Sequence, residues 1–258
     1  MVAKSVEIET SVYSCEQKKD ICFVYLNTNS VEIVSRVNVK DQFLATLAKI
    51  NDSESIKGLV ITNSSTYKGD TQLTDLIDYY LEIIREGVGI NAIAPFKHST
   101  LQLVEILINY TKPTIVAMNG DIGQVFFGFS LACDYRFATS NTTIHLPSTK
   151  LGLPTTGVLA YYLVQYLGRQ KAAELLLKKT ALSAPEGEKL GMITDIVTVE
   201  KLVEHCVEKI DEIRKYPIEG FLALKRVLQP PVGDIASFVN KSFEQFIIHL
   251  LRMKEKKE

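Results

Sequence analysis

Cysteine is scarce in this chain, and what there is makes no pattern. Cys15, Cys22, Cys133 and Cys206 are the whole set of 4, with no CxxC pair and no metal-ligand spacing among them. No metal is therefore expected, and a reduced, cytoplasmic setting fits. Long apolar runs are missing too: none approaches the ~20 residues that a bilayer-spanning helix requires. The opening segment MVAKSVEIET has no apolar core of the kind a signal peptide carries. Charge of one sign is also lacking. The 29 Lys and Arg residues against 30 Asp and Glu give a net charge of −1, with no basic stripe. Neither nucleic acid nor an anionic membrane is an expected partner. The tail Lys254–Lys257 alternates with Glu255 and Glu258 and reads as a solvated helix end. There is no internal repeat and no low-complexity linker.

The remaining composition is that of a globular protein. The chain has 258 residues, 46% hydrophobic and 23% charged, enough for one large domain or a domain with an appendage. Ser5–Ser14 and Ile21–Leu26 alternate as two strands joined by a charged turn, Glu16–Asp20. Asn38–Ile50 carries a helical stripe at Val39, Phe43, Leu44, Leu47 and Ile50. Strands follow at 56–62, 114–118, 135–138 and 143–146, with helices between. This alternation predicts a curved, mostly parallel α/β sheet wrapped by helices. From Lys201 onward the chain reads as helical over 201–215, 218–228 and 234–256. The last helix has a broad apolar face formed by Val239, Phe243, Phe246, Ile247, Leu250 and Leu251, which predicts self-association.

The stretch Lys112–Gly168 carries the most information. Pro113 opens the β-branched run Thr114–Met118, and Asn119-Gly120 breaks it. An apolar segment rich in Phe, Leu and Ala then runs to Asp134, and Tyr135–Ala138 returns as a strand. The order is strand, tight turn, buried helix, strand. A helix that starts from such a turn presents free backbone N–H groups to whatever lies in front of it, an arrangement able to hold a developing oxyanion.

This segment resembles the signature of the crotonase superfamily, the enoyl-CoA hydratases, isomerases and their relatives. The residues that carry the resemblance are Lys112-Pro113, Ala117, Asn119-Gly120, Leu131-Ala132-Cys133-Asp134, Arg136, Ala138, Pro147, Lys150-Leu151-Gly152 and Leu167-Gly168. Downstream, Glu174-Leu175-Leu176, Ser183-Ala184, Glu188 and Leu190-Gly191 continue it. Upstream, Ile56–Thr62 resembles the strand before the family's first oxyanion loop. The resemblance implies a spiral of ββα repeats over residues 1–198 and a helical trimerisation region over 199–258, assembled as a homotrimer or hexamer. It further implies an acyl thioester substrate, carried by coenzyme A or an acyl-carrier protein, with no separate cofactor. Two backbone amides would stabilise the thioester enolate. One comes from the Gly69-Asp70-Thr71 loop, at Thr71 or Asp70, and the other from Val125. Gln124, Phe126, Gly128 and Ser148 would line the substrate.

The chain also departs from the family pattern. Three glycines usually stand where this chain has Gln124, Val125 and Phe126, so the approach to the amide is narrowed. Hydratases of the family use two glutamates, whose positions here hold Gly128 and Ser148. Without paired carboxylates to activate water and move a proton, standard hydration is not expected. An isomerase or lyase role, or a catalytically silent subunit that binds acyl-CoA or a partner, fits better. A decarboxylase branch acting on carrier-protein-bound polyketide intermediates has a histidine on its last helix, which would correspond to His249. Other acids and bases near the segment are Asp70, Asp75, Asp78 and Asp121, for which turn or helix-start roles are the simpler assignment, His145, which sits in a short strand and reads as a buried or surface residue, and His98, which reads as loop. Leu73–Arg85 reads as an amphipathic helix and Gly87–Pro95 as a cover for the pocket.

Overall fold

The computed structural model describes residues 8–27, 30–63, 77–78, 80–82, 86, 93–146, 149, 152–155 and 157–255. Strands β1 (Ile8–Glu9), β2 (Tyr13–Lys18) and β3 (Ile21–Leu26) form an antiparallel meander, followed by helices α1 (Ser30–Ser35) and α2 (Val37–Asp52). Then come β4 (Gly58–Asn63), α3 (Ala94–Ile108), β5 (Thr114–Met118), β6 (Asp121–Ile122) and α4 (Gln124–Ser130). The chain continues through β7 (Tyr135–Thr139), β8 (Thr143–His145), α5 (Leu159–Lys178), β9 (Ala181–Ser183), α6 (Ala184–Lys189) and β10 (Asp195–Val197). After a 3-10 turn, α7 (Leu202–Ile213), α8 (Ile218–Leu228) and α9 (Val232–Glu255) close it.

Seven strands lie in one sheet in the order β1-β2-β3-β4-β5-β7-β10, parallel from β3 onward. A small second sheet pairs β6 with β8 and β8 with β9. Strand β5 is buried along its entire length, as expected for a strand covered on both faces. Alternate residues along the sheet separate into two cores. Phe23, Val60, Ile115 and Phe137 meet Cys206 and Ile210 of α7 on one face. Val24, Ile61, Val116 and Ala138 join the larger core under the other helices. Helix α7 approaches the sheet closely at Gly58, where an added Cβ would stand 2.6 Å from Ile210 Cδ1.

Two expectations need correction at the N-terminal hairpin. Strand β2 extends to Lys18, so the turn is only Lys19-Asp20, with Lys19 at φ 57°. The preceding strand is interrupted, because the Thr10 hydroxyl accepts from the amides of Val12 and Tyr13 and donates to the Tyr13 carbonyl. This is a local hydroxyl turn that competes with the ladder.

The last helix departs from its sequence reading in a way that matters more. Val239, Phe243, Phe246 and Leu250 of α9 are buried inside their own chain. Phe243 meets Phe96 of α3 edge-on at 5.3 Å, and Phe238 meets Tyr161 of α5 at 5.5 Å. Much of the broad apolar face is thus taken up by α3 and α5 of the same chain. The exposed apolar face lies on α8, where Val227 is 80% and Leu228 72% exposed.

Candidate active site

The ends of β4 and β5 are joined by a reciprocal amide pair. Asn63 Nδ2 donates to the Asn119 carbonyl at 2.6 Å, and the Asn119 amide donates to Asn63 Oδ1 at 2.9 Å. Asn119 Oδ1 also accepts from the Thr139 hydroxyl on β7, and Thr142 Oγ1 donates to the Met118 carbonyl. Three strand ends are thereby fixed, and the Gly120–Gly123 turn departs from one of them. Gly120 has φ +70°, a conformation that side chains resist. After β6, the extended residue Gly123 caps α4, and the first amide returned to it is that of Phe127. The short helix is deeply buried except for Val125, which is half-buried.

Its far end is held by a buried guanidinium. Arg136 donates from Nη1 to the carbonyls of Cys133 (2.9 Å) and Ser130 (3.3 Å), from Nε to Met192 (2.6 Å), and from Nη2 to the Tyr166 hydroxyl (2.8 Å). A cation there also suits the negative end of the helix dipole. Asp134 and Lys225 form a buried ion pair nearby. Asp134 Oδ2 accepts from the amide and hydroxyl of Thr114, both at 2.8 Å, and pairs with Lys225 Nζ at 3.0 Å. Burial pushes the Cys133 thiol up to about 12, opposed by nearby Lys225, so it is an inert core residue. Asp134 and Arg136, two of the matched signature residues, serve as frame.

In front of α4 lies a cavity lined by Gln124, Val125 and Gly128 of α4, with Phe96, Leu103 and Leu159 among the opposing residues; its volume is about 10 Å³. That is room for about one water. Gln124, Val125 and Gly128 thus come together as expected. Phe126 does not join them: it is fully buried, edge-on to Phe129 at 5.1 Å, and outside the lining. Gly128 is a close-approach residue, where a Cβ would stand 3.3 Å from both Cβ and N of Leu159. A side chain at the helix position requires Leu159 to give by a few tenths of an ångström. Gly69, Asp70, Thr71, Asp75 and Ser148 lie outside the described residues, as does most of the expected helix Leu73–Arg85.

The alternative acids and bases take up other partners. Asp121 Oδ1 and His145 Nε2 pair with each other at 3.0 Å on the surface. His249 lies on α9, and its Nδ1 donates to the Gln245 carbonyl one turn earlier at 2.8 Å; it does not line the cavity. Asp78 and His98 are exposed. Among the described residues, no group of three or more His, Cys, Asp or Glu side chains forms a possible metal site, and no helix is long and apolar enough to cross a membrane. Asn63, which ties the ends of β4 and β5 beside the candidate site, was not singled out by sequence reading. Its only signal is a polar residue closing an otherwise apolar strand, too common to single out.

Comparison with known proteins places this geometry. The family model described as "Enoyl-CoA hydratase/isomerase" matches residues 16–245. The crystal structure of an enoyl-CoA hydratase from Bacillus halodurans superposes with a TM-score of 0.78 at 18% identity, covering 96% of this chain and 98% of that one. An enoyl-CoA hydratase from Mycobacterium avium subsp. paratuberculosis K-10 gives 0.72 at 16% identity, over 94% and 91%. A subunit I structure from Geobacillus kaustophilus HTA426 gives 0.66 at 20% identity, over 90% and 88%. At these identities the likeness is one of fold.

Proposed function

Because the chain belongs to the enoyl-CoA hydratase/isomerase family, the crotonase superfamily, we propose that it binds an acyl thioester, of coenzyme A or an acyl-carrier protein, and stabilises its enolate as an isomerase or lyase. The observation that carries this reading is the Val125 position: the one half-buried residue of a buried helix, at its first turn, bordering a cavity behind three fixed strand ends. An amide in that place donates to a thioester oxygen as negative charge develops on it, in a site from which water is largely excluded. The second donor in this proposal is the amide of Thr71 or Asp70, next to Gly69 in the sequence. In comparable sites each such donor contributes roughly 2.7–4 kcal/mol to the transition state. Coenzyme A enters as part of the substrate, and no further cofactor is invoked.

Hydration by paired carboxylates is not part of this proposal. Gly128 contacts Leu159 where one carboxylate would stand, and the other position holds Ser148. Each lost acid or base typically removes 10²–10⁴-fold. Calorimetric titration with crotonyl-CoA, followed by mass spectrometry of the mixture, tests both halves. Binding heat without 3-hydroxybutyryl-CoA is the expected result. Absence of heat at millimolar ligand contradicts thioester binding, and rapid hydration contradicts the assigned chemistry.

One observation favours a second reading, a catalytically silent member that binds acyl-CoA weakly or serves another subunit. The cavity of about 10 Å³ must widen before any acyl group can reach Val125. Under either reading we propose a homotrimer or hexamer, with the exposed apolar face of α8 as the contact.

A further inference from the structure

Both main-chain groups of Asn119 are held by one side chain. The Asn119 amide donates to Asn63 Oδ1 at 2.9 Å, and its carbonyl accepts from Asn63 Nδ2 at 2.6 Å. Its own Oδ1 accepts from the Thr139 hydroxyl of β7 at 2.9 Å. Main-chain pairing between β4 and β5 ends at Thr62 and Ala117. Beyond that point the carboxamide of Asn63, which carries a donor and an acceptor on separate atoms as a peptide group does, continues the ladder to Asn119.

This clamp stands at the entrance to the turn that delivers Val125. Gly120 follows at φ +70°, and its carbonyl accepts from the Thr143 amide of β8 at 3.0 Å. The two residues of β6 lead to Gly123, whose carbonyl accepts from the Phe127 amide at 3.0 Å. From Asn119 to Val125 the path is thus pinned at its start, at Gly120 and again at Gly123. An oxyanion donor must stand within about 2.7–3.1 Å of the developing charge, and a misplacement of about 1 Å costs on the order of 10²-fold. Asn63 and Asn119 are only half-buried, so the pair is not a core contact. What it controls is where the turn begins.

We propose that Asn63 is a positioning residue of the candidate active site: through Asn119 it sets the turn that aims the Val125 amide at the thioester oxygen. The proposal rests on the enolate reading of that amide. Removing the clamp therefore diminishes enolate stabilisation while the thioester still binds and the chain still folds.

The test uses the full chain and acetoacetyl-CoA at saturation, reading the ratio of bound enolate to bound keto form by absorbance, with the C2 proton passing to the buffer. Calorimetry with crotonyl-CoA gives affinity, and thermal melts give stability. Asn63→Leu removes both bonds at similar volume and should lower the enolate ratio about tenfold or more, with crotonyl-CoA affinity changed less than about threefold. That split separates a group that acts on the enolate from one that binds ground and activated states alike. Asn63→Asp keeps the acceptor alone and should lower the ratio as well; it carries the test if Asn63→Leu melts below the assay temperature. Ile210→Val, which loosens packing at Gly58 on the other end of β4, should leave the ratio at the wild-type value. A wild-type enolate band that the Asn63 variants leave unchanged overturns the proposal and leaves the enolate reading standing. A fall in affinity as large as the fall in ratio overturns it too, as does an equal fall in Ile210→Val, since either marks Asn63 as merely structural. Absence of the band from the wild type overturns the enolate reading and the proposal with it.

Discussion

Gly128 marks how far this chain stands from its hydrating relatives at the level of a single residue. Restoring an acid there by Gly128→Glu should not restore chemistry, because an added Cβ already stands 3.3 Å from Leu159, which must give way to admit it. Overpacking of this kind costs about 1–3 kcal/mol, to be read as a lower urea midpoint with an unchanged slope. A variant as stable as the parent that hydrates crotonyl-CoA contradicts the packing described. Lys225 provides a second test. Lys225→Met leaves the Asp134 carboxylate buried with only the Thr114 donors, and a broken buried pair costs about 3–5 kcal/mol. A loss below about 1 kcal/mol would mean that the Asp134–Lys225 pair does not anchor α8. His249→Gln, in contrast, should leave turnover and stability nearly unchanged, since the ring bonds only its own helix turn among the described residues. At this scale the sequence is an uneven guide. Asn119-Gly120 announced its turn, and Gly128 announced a missing carboxylate. What packs on Gly128, and the pairing of Asn119 with Asn63, depend on chain separated by 31 and 56 residues and leave no local trace.

Among the elements, α6 shows local sequence and structure agreeing closely. Ser183 caps it, and Glu186 returns the bond: Glu186 Oε2 accepts from the Ser183 amide at 3.1 Å and hydroxyl at 3.0 Å, the reciprocal box expected of Ser-x-x-Glu. With Lys179 paired to its other oxygen as the largest cause, the Glu186 carboxyl is held down from 4.5 to about 2. The sign follows directly: a depressed carboxyl stabilises the fold above its unfolded value and loses that contribution on protonation. Stability attributable to Glu186 should be complete above pH 4.5 and fall toward pH 2. Glu186→Gln should flatten that part of the curve, measured by thermal melts across the range. An unchanged pH dependence contradicts the box. The strands over 114–118 and the helix over 218–228 were legible to the residue, because apolar runs and a proline mark their limits. The purpose of the apolar face of α9 was not legible. A stripe of Phe, Val and Leu looks the same whether it meets α3 and α5 or another molecule, and only tertiary packing distinguishes them.

For the molecule as a whole, the α/β alternation and the resemblance carried by residues 112–168 were sufficient for the fold, since parallel strands linked by helices admit few arrangements. The candidate site was legible in part. Gln124, Val125 and Gly128 do converge, but the closed state of the cavity depends on Phe96, Leu103 and Leu159, which come from distant chain. Assembly is a prediction at this scale. The exposed apolar side chains of α8 should mediate self-association, so Val227→Asp with Leu228→Asp should lower the molar mass seen by light scattering at micromolar concentration. A parent chain already monomeric there contradicts it.

The central claim, that the Val125 amide stabilises a thioester enolate, is most directly tested with acetoacetyl-CoA, whose enolate absorbs where its keto form does not. Val125 occupies the second position of α4, within the first turn, where a backbone N–H has no partner in the helix. Proline, which removes that N–H and fixes φ near its helical value, is tolerated in a helix's first turn. The account predicts that the wild-type chain raises the enolate band at fixed pH and that Val125→Pro, with its melting temperature retained, reduces the enolate equilibrium by 10²-fold or more, the usual effect of deleting one such donor. An enolate band absent from the wild type, or undiminished in a folded Val125→Pro variant, contradicts it.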